Sequence, residues 1–232
     1  MDAAELVDRL RPVAEHVADW PAEPSPIVEE LPGLHRELLQ ALNGFSVQGG
    51  ALRIFGIRRD DVLDLDWWND EETWRFAWDD RIDPFVIFAE SAWGDQYAFR
   101  RGESGELEPA VHFLEGTLLR SEPLAASFDE FAEVELLRIA DKPYDPLTIG
   151  ALDRYGPIGP RQHWTFAPSI ALGGEESLDN VVLVRGQDAM TMAGDLASAL
   201  QSSTPGSWPT NVEPWVDDRD RQRLRVEFDR EL

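Results

Sequence analysis

The sequence predicts an α+β protein, a mainly antiparallel sheet flanked by helices with a C-terminal α/β extension packed on it. Short strand signals follow one another closely in the middle of the chain, where local connections favour sequential antiparallel pairing. Helical periodicity brackets that run on both sides, the pattern of helices segregated against a sheet. The 232 residues are 43% hydrophobic and include 9 Trp and 11 Phe, enough apolar volume for a substantial core.

Taken in order, Leu6, Val7, Leu10, Val13, Ala14 and Val17 fall on one stripe and predict a helix over 3–18, with Asp2 and Glu5 as a capping pair. Pro21, Pro24 and Pro26 predict a stiff linker. Leu34, Leu38, Leu39 and Leu42 predict a second helix over about 33–43, stopped by Asn43-Gly44. A strand through Leu52, Ile54 and Phe55 ends near Gly56. Asn69 and Glu72 are read as caps of a short helix carrying Trp74 and Trp78. The apolar run 85–89 suits a central strand, Trp93-Gly94-Asp95 a turn, and 96–99 and 111–113 further strands. Ser127 and Glu130 open a helix whose stripe is Phe128, Phe131, Val134 and Leu137. Asp145-Pro146 starts another that ends at Gly156. Strands are expected over 163–166 and 181–184, and a helix over about 187–201 with Ala189, Met192, Ala193, Leu196 and Leu200 inward. From 202 onward the chain reads as a loosely attached tail with a short helix at 217–226.

Composition narrows the function. The chain has no cysteine, which excludes disulfides, cysteine zinc sites and thiol catalysis. Its opening, MDAAELVDRL, lacks the basic and apolar regions of a signal peptide, and no apolar stretch is long enough to span a bilayer, so a cytoplasmic location is expected. The formal net charge is −24, from 45 acidic against 21 basic residues. Such a surface repels nucleic acid and anionic membrane and speeds encounter with basic partners, although the same charge also serves plain solubility.

No motif announces catalysis. His16, His35, His112 and His163 are isolated, and each is read as structural or surface. HExxH, a phosphate-binding glycine loop, GxSxG and a dinucleotide fingerprint are all missing. The segment 58–83 is unusual in mixing carboxylates with Trp67, Trp68, Trp74 and Trp78. Paired acids beside tryptophan platforms suit glycoside hydrolysis, but those acids need distinct, partly buried environments, and a run this dense looks like a solvated surface. The stretch from Asp60 to Asp66 is rich in oxygen ligands, yet it lacks the turn glycine and closing glutamate of a calcium loop. No cofactor and no metal are expected. Trp74 and Trp78 are read as packing residues. The candidate partner-binding surface is Asp60, Asp61, Asp64, Asp66, Trp67, Trp68, Asp70, Glu71 and Glu72, since tryptophan in charged surroundings is favoured at binding hot spots.

The order of features resembles a known family. Leu31-Pro32, Leu38-Leu39, Asn43-Gly44 and the strand to Gly56 resemble the opening of the SUKH superfamily of bacterial immunity proteins. Phe85-Val86-Ile87-Phe88-Ala89-Glu90 with Gly94-Asp95-Gln96-Tyr97-Ala98 resembles that family's central hairpin, and Ser127-Phe128-Asp129-Glu130-Phe131 its closing helix. Tyr155-Gly156-Pro157-Ile158, the segment from Phe166 to Gly174 and the helix after Val184 resemble the C-terminal region of type VI secretion immunity proteins, with Thr165 and Ser169 departing from the pattern. Four segments are expected: 1–28 as an N-terminal helix and linker, 29–138 as a SUKH-like domain, 139–203 as an immunity-protein-like region and 204–232 as a tail, the N-terminal helix and the tail lying outside the resemblance. The resemblance itself has three implications. It implies no active site. It implies an antitoxin that binds a cognate secreted toxin, a basic nuclease being the best electrostatic match, by occlusion and charge complementarity; nucleic acid and membrane are not expected as partners. A SUKH-like regulatory or scaffold protein and a carbohydrate-active enzyme are the alternatives.

Overall fold

The computed structural model describes residues 1–21, 25–58, 64–204 and 206–229. Six strands, β1 (Phe45–Val47), β2 (Leu52–Ile54), β3 (Phe85–Ser91), β4 (Gln96–Arg101), β5 (Leu107–Leu114) and β6 (Ser121–Ala125), form one sheet. Spatial order equals chain order and every pairing is antiparallel, as the sequence predicts. Helices α1 (Ala3–Leu10), α2 (Pro26–Glu30), α3 (Gly33–Ala41), α4 (Leu65–Asn69), α5 (Phe128–Phe131), α6 (Leu137–Asp141), α7 (Pro146–Tyr155) and α8 (Gly186–Gln201) accompany it. Two small antiparallel sheets complete the chain, β7 (Gln162–Phe166) with β8 (Val181–Arg185) and β9 (Pro209–Val216) with β10 (Gln222–Phe228).

All seven residues of β3 are buried, because both faces of the sheet are covered. Neighbouring side chains on a strand point to opposite faces, and β4 shows both destinations. Tyr97 donates to Glu135 on the turn between α5 and α6, whereas Gln96 accepts from the Trp68 indole of α4. On the first face Phe88, Phe99, Phe128 and Phe131 pack together. A bulge between Ile87 and Ala89 accommodates Phe88 within that cluster. On the second face Trp74 and Trp78 are fully buried, as read from sequence. Each indole N–H has an acceptor: Trp74 bonds the Trp68 carbonyl at 2.9 Å and Trp78 the Met190 carbonyl at 2.8 Å.

Several elements differ from expectation for identifiable reasons. The first helix ends near Arg11 because Pro12 cannot continue the hydrogen-bond ladder. Residues beyond it run along β1 instead, with Glu15 and Ser46 exchanging backbone bonds at 2.8 and 2.9 Å. Val13 and Val17 are therefore 36% and 43% exposed. Within the expected linker, Ser25 caps α2 and Pro26 takes its first position; Pro24 lies outside the described residues. The helix at Trp74 and Trp78 is absent. Asp64 caps α4 earlier in the chain, and Arg75–Ala77 forms only a 3-10 turn.

Between α5 and α6 the chain makes a π turn over Ala132–Leu136. Its wider turn shifts the periodicity, leaving Val134 exposed while Ala132, Glu135 and Leu136 face inward. The inward face of α8 is Met190, Thr191, Gly194, Leu196 and Ala197; of the expected stripe Leu196 is buried and Ala193 packs partly on the core, while Ala189, Met192 and Leu200 are only half-buried. Gly194 selects that face: a Cβ there would lie 2.5 Å from the Ala77 carbonyl oxygen, so only glycine lets α8 approach the 3-10 turn. The tail is an ordered hairpin with no helix at 217–226. Asp217 accepts from the Arg219 and Arg221 amides to make its turn, and Arg223 grips Asp195 of α8.

His35 sits in the first-face core, stacked on Phe128 at 4.2 Å, with neither ring nitrogen hydrogen-bonded. Burial lowers its pKa from 6.5 to about 3. Below pH 6.5 the unfolded chain takes up a proton that the folded protein refuses, so stability falls as pH drops towards 3. Between pH 7 and pH 5 this group should remove about 2 kcal/mol of stability. Urea denaturation of the wild type and of His35→Leu at the two pH values checks it, and the variant should lose correspondingly less.

Candidate functional site

The predicted acid-aromatic surface divides into an inner and an outer set. Asp60 and Asp61 lie outside the described residues. Asp64 is buried: one carboxylate oxygen accepts from the Trp67 amide at 2.8 Å and the other from the Arg58 amide at 2.7 Å. Burial raises its pKa against the pull of those bonds. Trp68 is also buried, stacked on Phe55 at 5.3 Å and donating to Gln96 at 2.8 Å. Trp67 is half-buried beside it. Asp66, Asp70, Glu71 and Glu72 are exposed.

Asn69 holds this segment to the sheet. Its amide donates to the Ile87 carbonyl at 2.7 Å and accepts from the Ile87 N–H at 2.8 Å, filling a place on β3 beyond the end of β2. The exposed face then continues through Asp79, Asp80 and Asp83. Over 64–83 there are eight carboxylates against two arginines. Among the described residues Asp66, Asp70, Glu71, Asp80 and Asp83 form no ion pair, whereas Glu72 binds Arg219 and Arg221 of the C-terminal hairpin. The Arg219 hydrogen bond holds the Glu72 carboxyl below the usual range. Asp79, Asp80 and Asp83 lie outside the predicted surface; their place in the same acidic run is the available signal.

A second constellation lies wholly inside. Glu90 on β3 is 1% exposed and meets two partners: Arg53 of β2 at 3.0 Å and His163 of β7 at 2.7 Å. Burial works to raise the Glu90 pKa, but Arg53 and His163 outweigh it and hold the carboxyl below its ordinary value. Arg53 also donates to the Ser91 carbonyl at 2.9 Å and to the Gln162 carbonyl. These groups are out of reach of any ligand, and their role is to join the sheet to the β7–β8 unit. His163 is thus structural, as read from sequence.

A third feature is a cleft between the β3–β4 turn, the π turn and the start of α7, with a volume of about 160 Å³. Trp93, Tyr97 and Tyr144 wall it, and Asp95, Glu135 and Thr148 supply its polar atoms. Glu135 accepts from the Tyr97 hydroxyl at 2.8 Å, the Tyr144 hydroxyl at 3.0 Å and Arg138 at 3.2 Å. Burial first, and the Glu135 charge second, raise both tyrosine pKa values, so both phenols stay protonated. Sequence reasoning missed this cleft because Glu135 reads as an exposed helix position until the π turn swings it inward. Among the described residues no group of three His, Asp or Glu side chains could hold a metal ion, and no helix is long and apolar enough to cross a membrane.

No family model and no curated protein matches the chain. The crystal structure of Atu4351 from Agrobacterium tumefaciens is similar in fold, with a TM-score of 0.52 at 12% identity over 92% of this chain and 93% of that one. At that identity the likeness is one of architecture: the α+β arrangement runs through both chains nearly from end to end.

The Arg53–Glu90 pair yields a stability test. Arg53→Met leaves a buried carboxylate without its arginine partner and should cost about 3–5 kcal/mol. The double variant Arg53→Met/Glu90→Leu removes both charges and should recover part of that loss. Chemical denaturation of the two variants reads the difference.

Proposed function

We propose that this protein is a cytoplasmic immunity protein that binds and neutralises a secreted bacterial toxin with a basic surface, a nuclease being the best electrostatic match. The supporting observation is the acidic run over 66–83, whose exposed carboxylates alternate with a buried tryptophan layer. Such a face accelerates encounter with a cationic partner and sets orientation, while close packing at the interface governs dissociation. Its carboxylates are mounted on α4 and on turns pinned by Asp64 and Asn69, so the partner meets a preformed surface and the ordering cost of binding falls. A specific interface of this kind buries roughly 1,200–2,000 Å², more than the short acidic strip alone supplies. The half-buried Trp67 beside it is the apolar anchor this reading assigns. Binding, not turnover, is the activity proposed.

Co-expression with the toxin encoded beside this gene should restore growth and yield a co-purifying complex; neither outcome occurring would overturn the reading. Within such a complex, charge reversal at Asp66, Asp70 and Glu71 together should slow association about 10-fold or more at low salt and flatten its salt dependence. Stopped-flow association at several ionic strengths measures both. Asp64 is left out of that set because its substitution would uncap α4.

A further inference from the structure

The cleft beside Glu135 has a one-sided hydrogen-bonding character. Every side-chain donor at its polar floor is already committed inward. The Tyr97 and Tyr144 hydroxyls donate to Glu135 at 2.8 and 3.0 Å. The Ser91 hydroxyl donates to Asp95 at 2.7 Å, the Thr148 hydroxyl to Asp145 at 2.6 Å, and the Trp93 indole to Thr148 at 2.8 Å. What faces the cavity is therefore a set of oxygen lone pairs on hydroxyls and carboxylates, between aromatic walls. Glu135 is already paired with Arg138, whereas Asp95 accepts only from the Gly116 N–H at 3.0 Å and the Ser91 hydroxyl and has no cationic partner among the described residues, so a ligand must bring donors and Asp95 favours one that also brings positive charge.

The protein itself shows which cation suits these walls. The Arg138 guanidinium lies 3.6 Å from the centre of the Tyr144 ring and 3.2 Å from a Glu135 oxygen, approaching from the solvent side. Stacking on an aromatic face while donating to a carboxylate is the guanidinium's mode; a compact ammonium lacks the planar face for it. The volume of about 160 Å³ is close to that of cavities that admit a benzene-sized guest, and so fits a guanidinium with one or two methylenes.

We infer that this cleft is a binding site for a guanidinium group, borne by a small free molecule or by an arginine side chain, received by Glu135 and Asp95 against the rings of Tyr144 and Trp93. Such a site would operate whether or not the protein neutralises a toxin. Tyr144 is half-exposed at the rim and can be changed without opening the core, whereas Glu135 is nearly fully buried.

Isothermal titration of the full chain with ethylguanidinium, ethylammonium, ethylurea and N-acetyl-arginine methylamide tests it. Ethylguanidinium should bind saturably at one site, with a Kd on the order of 1 mM or tighter. Ethylurea, which has the shape without the charge, should bind at least about 10-fold more weakly, and Tyr144→Ala should weaken ethylguanidinium about 5- to 10-fold. Binding of the arginine derivative as well would assign the site to a protein or peptide side chain; its failure alongside ethylguanidinium binding would assign it to a free small molecule. No saturable binding of ethylguanidinium, equal binding of ethylurea or ethylammonium, or full affinity in Tyr144→Ala would overturn the inference. The first three comparisons use the wild-type protein and do not depend on a variant folding.

Discussion

A buried carboxylate that must be matched governs how the two parts of this chain meet. Glu90 lies at the centre of the sheet, where isolated ionisation would be prohibitive. One partner, Arg53, comes from the neighbouring strand, and the other, His163, from a strand 73 residues further on. Arg53 then spends its remaining donors on the Ser91 and Gln162 carbonyls, fixing the start of β7 against the end of β3. Once β7 is placed, β8 and α8 follow, and α8 brings the Met190 carbonyl to the Trp78 indole. An apolar replacement could fill the same volume, but an ion pair with defined hydrogen bonds admits far fewer relative placements of sheet and extension.

The acid-rich segment shows how a short stretch can serve the core and the surface together. In α4, five residues long, Leu65 and Trp68 turn inward while Asp66 faces solvent. The following turns repeat the division, with Trp74 and Trp78 inside and Asp79 and Asp80 outside. The tryptophans form a layer between the sheet and α8, and the carboxylates are displayed because the rings beneath them cannot move. Charge density and rigidity at this face thus have one origin.

Much of this architecture was legible in local chemistry. Caps at Asp2, Ser127 and Asp145 mark helix starts as the side-chain hydrogen bonds confirm. The leucines of α3, the apolar run of β3 and the turn at Gly94 all carry local signals, and the sheet follows from them. What escaped depends on contacts distant in sequence or on a change of helical pitch. The π turn that brings Glu135 into the cleft replaces one period with another inside an otherwise regular pattern. The inward face of α8 is chosen by the Ala77 carbonyl pressing on Gly194, which no periodicity in α8 records. The hairpin after 208 alternates charge with apolar residues on too short a repeat to be told from a helix, and its anchors, Asp195 and Glu72, are far upstream. Of the predicted surface, the exposed carboxylates read correctly as exposed, while Asp64 and Trp68 differ because capping and indole bonding draw them in.

The sequential order of the six strands bears on how the chain comes off the ribosome. Each strand pairs with the one just made, so the sheet can assemble from its own neighbours before residue 139 emerges. Two groups are then left waiting: the Glu90 carboxylate lacks its histidine, and the Trp78 indole lacks an acceptor 112 residues away. During that interval the tryptophan face of the nascent sheet lacks the cover that α8 later provides. Closure of the tryptophan face therefore waits on the last third of the chain, not on the sheet itself.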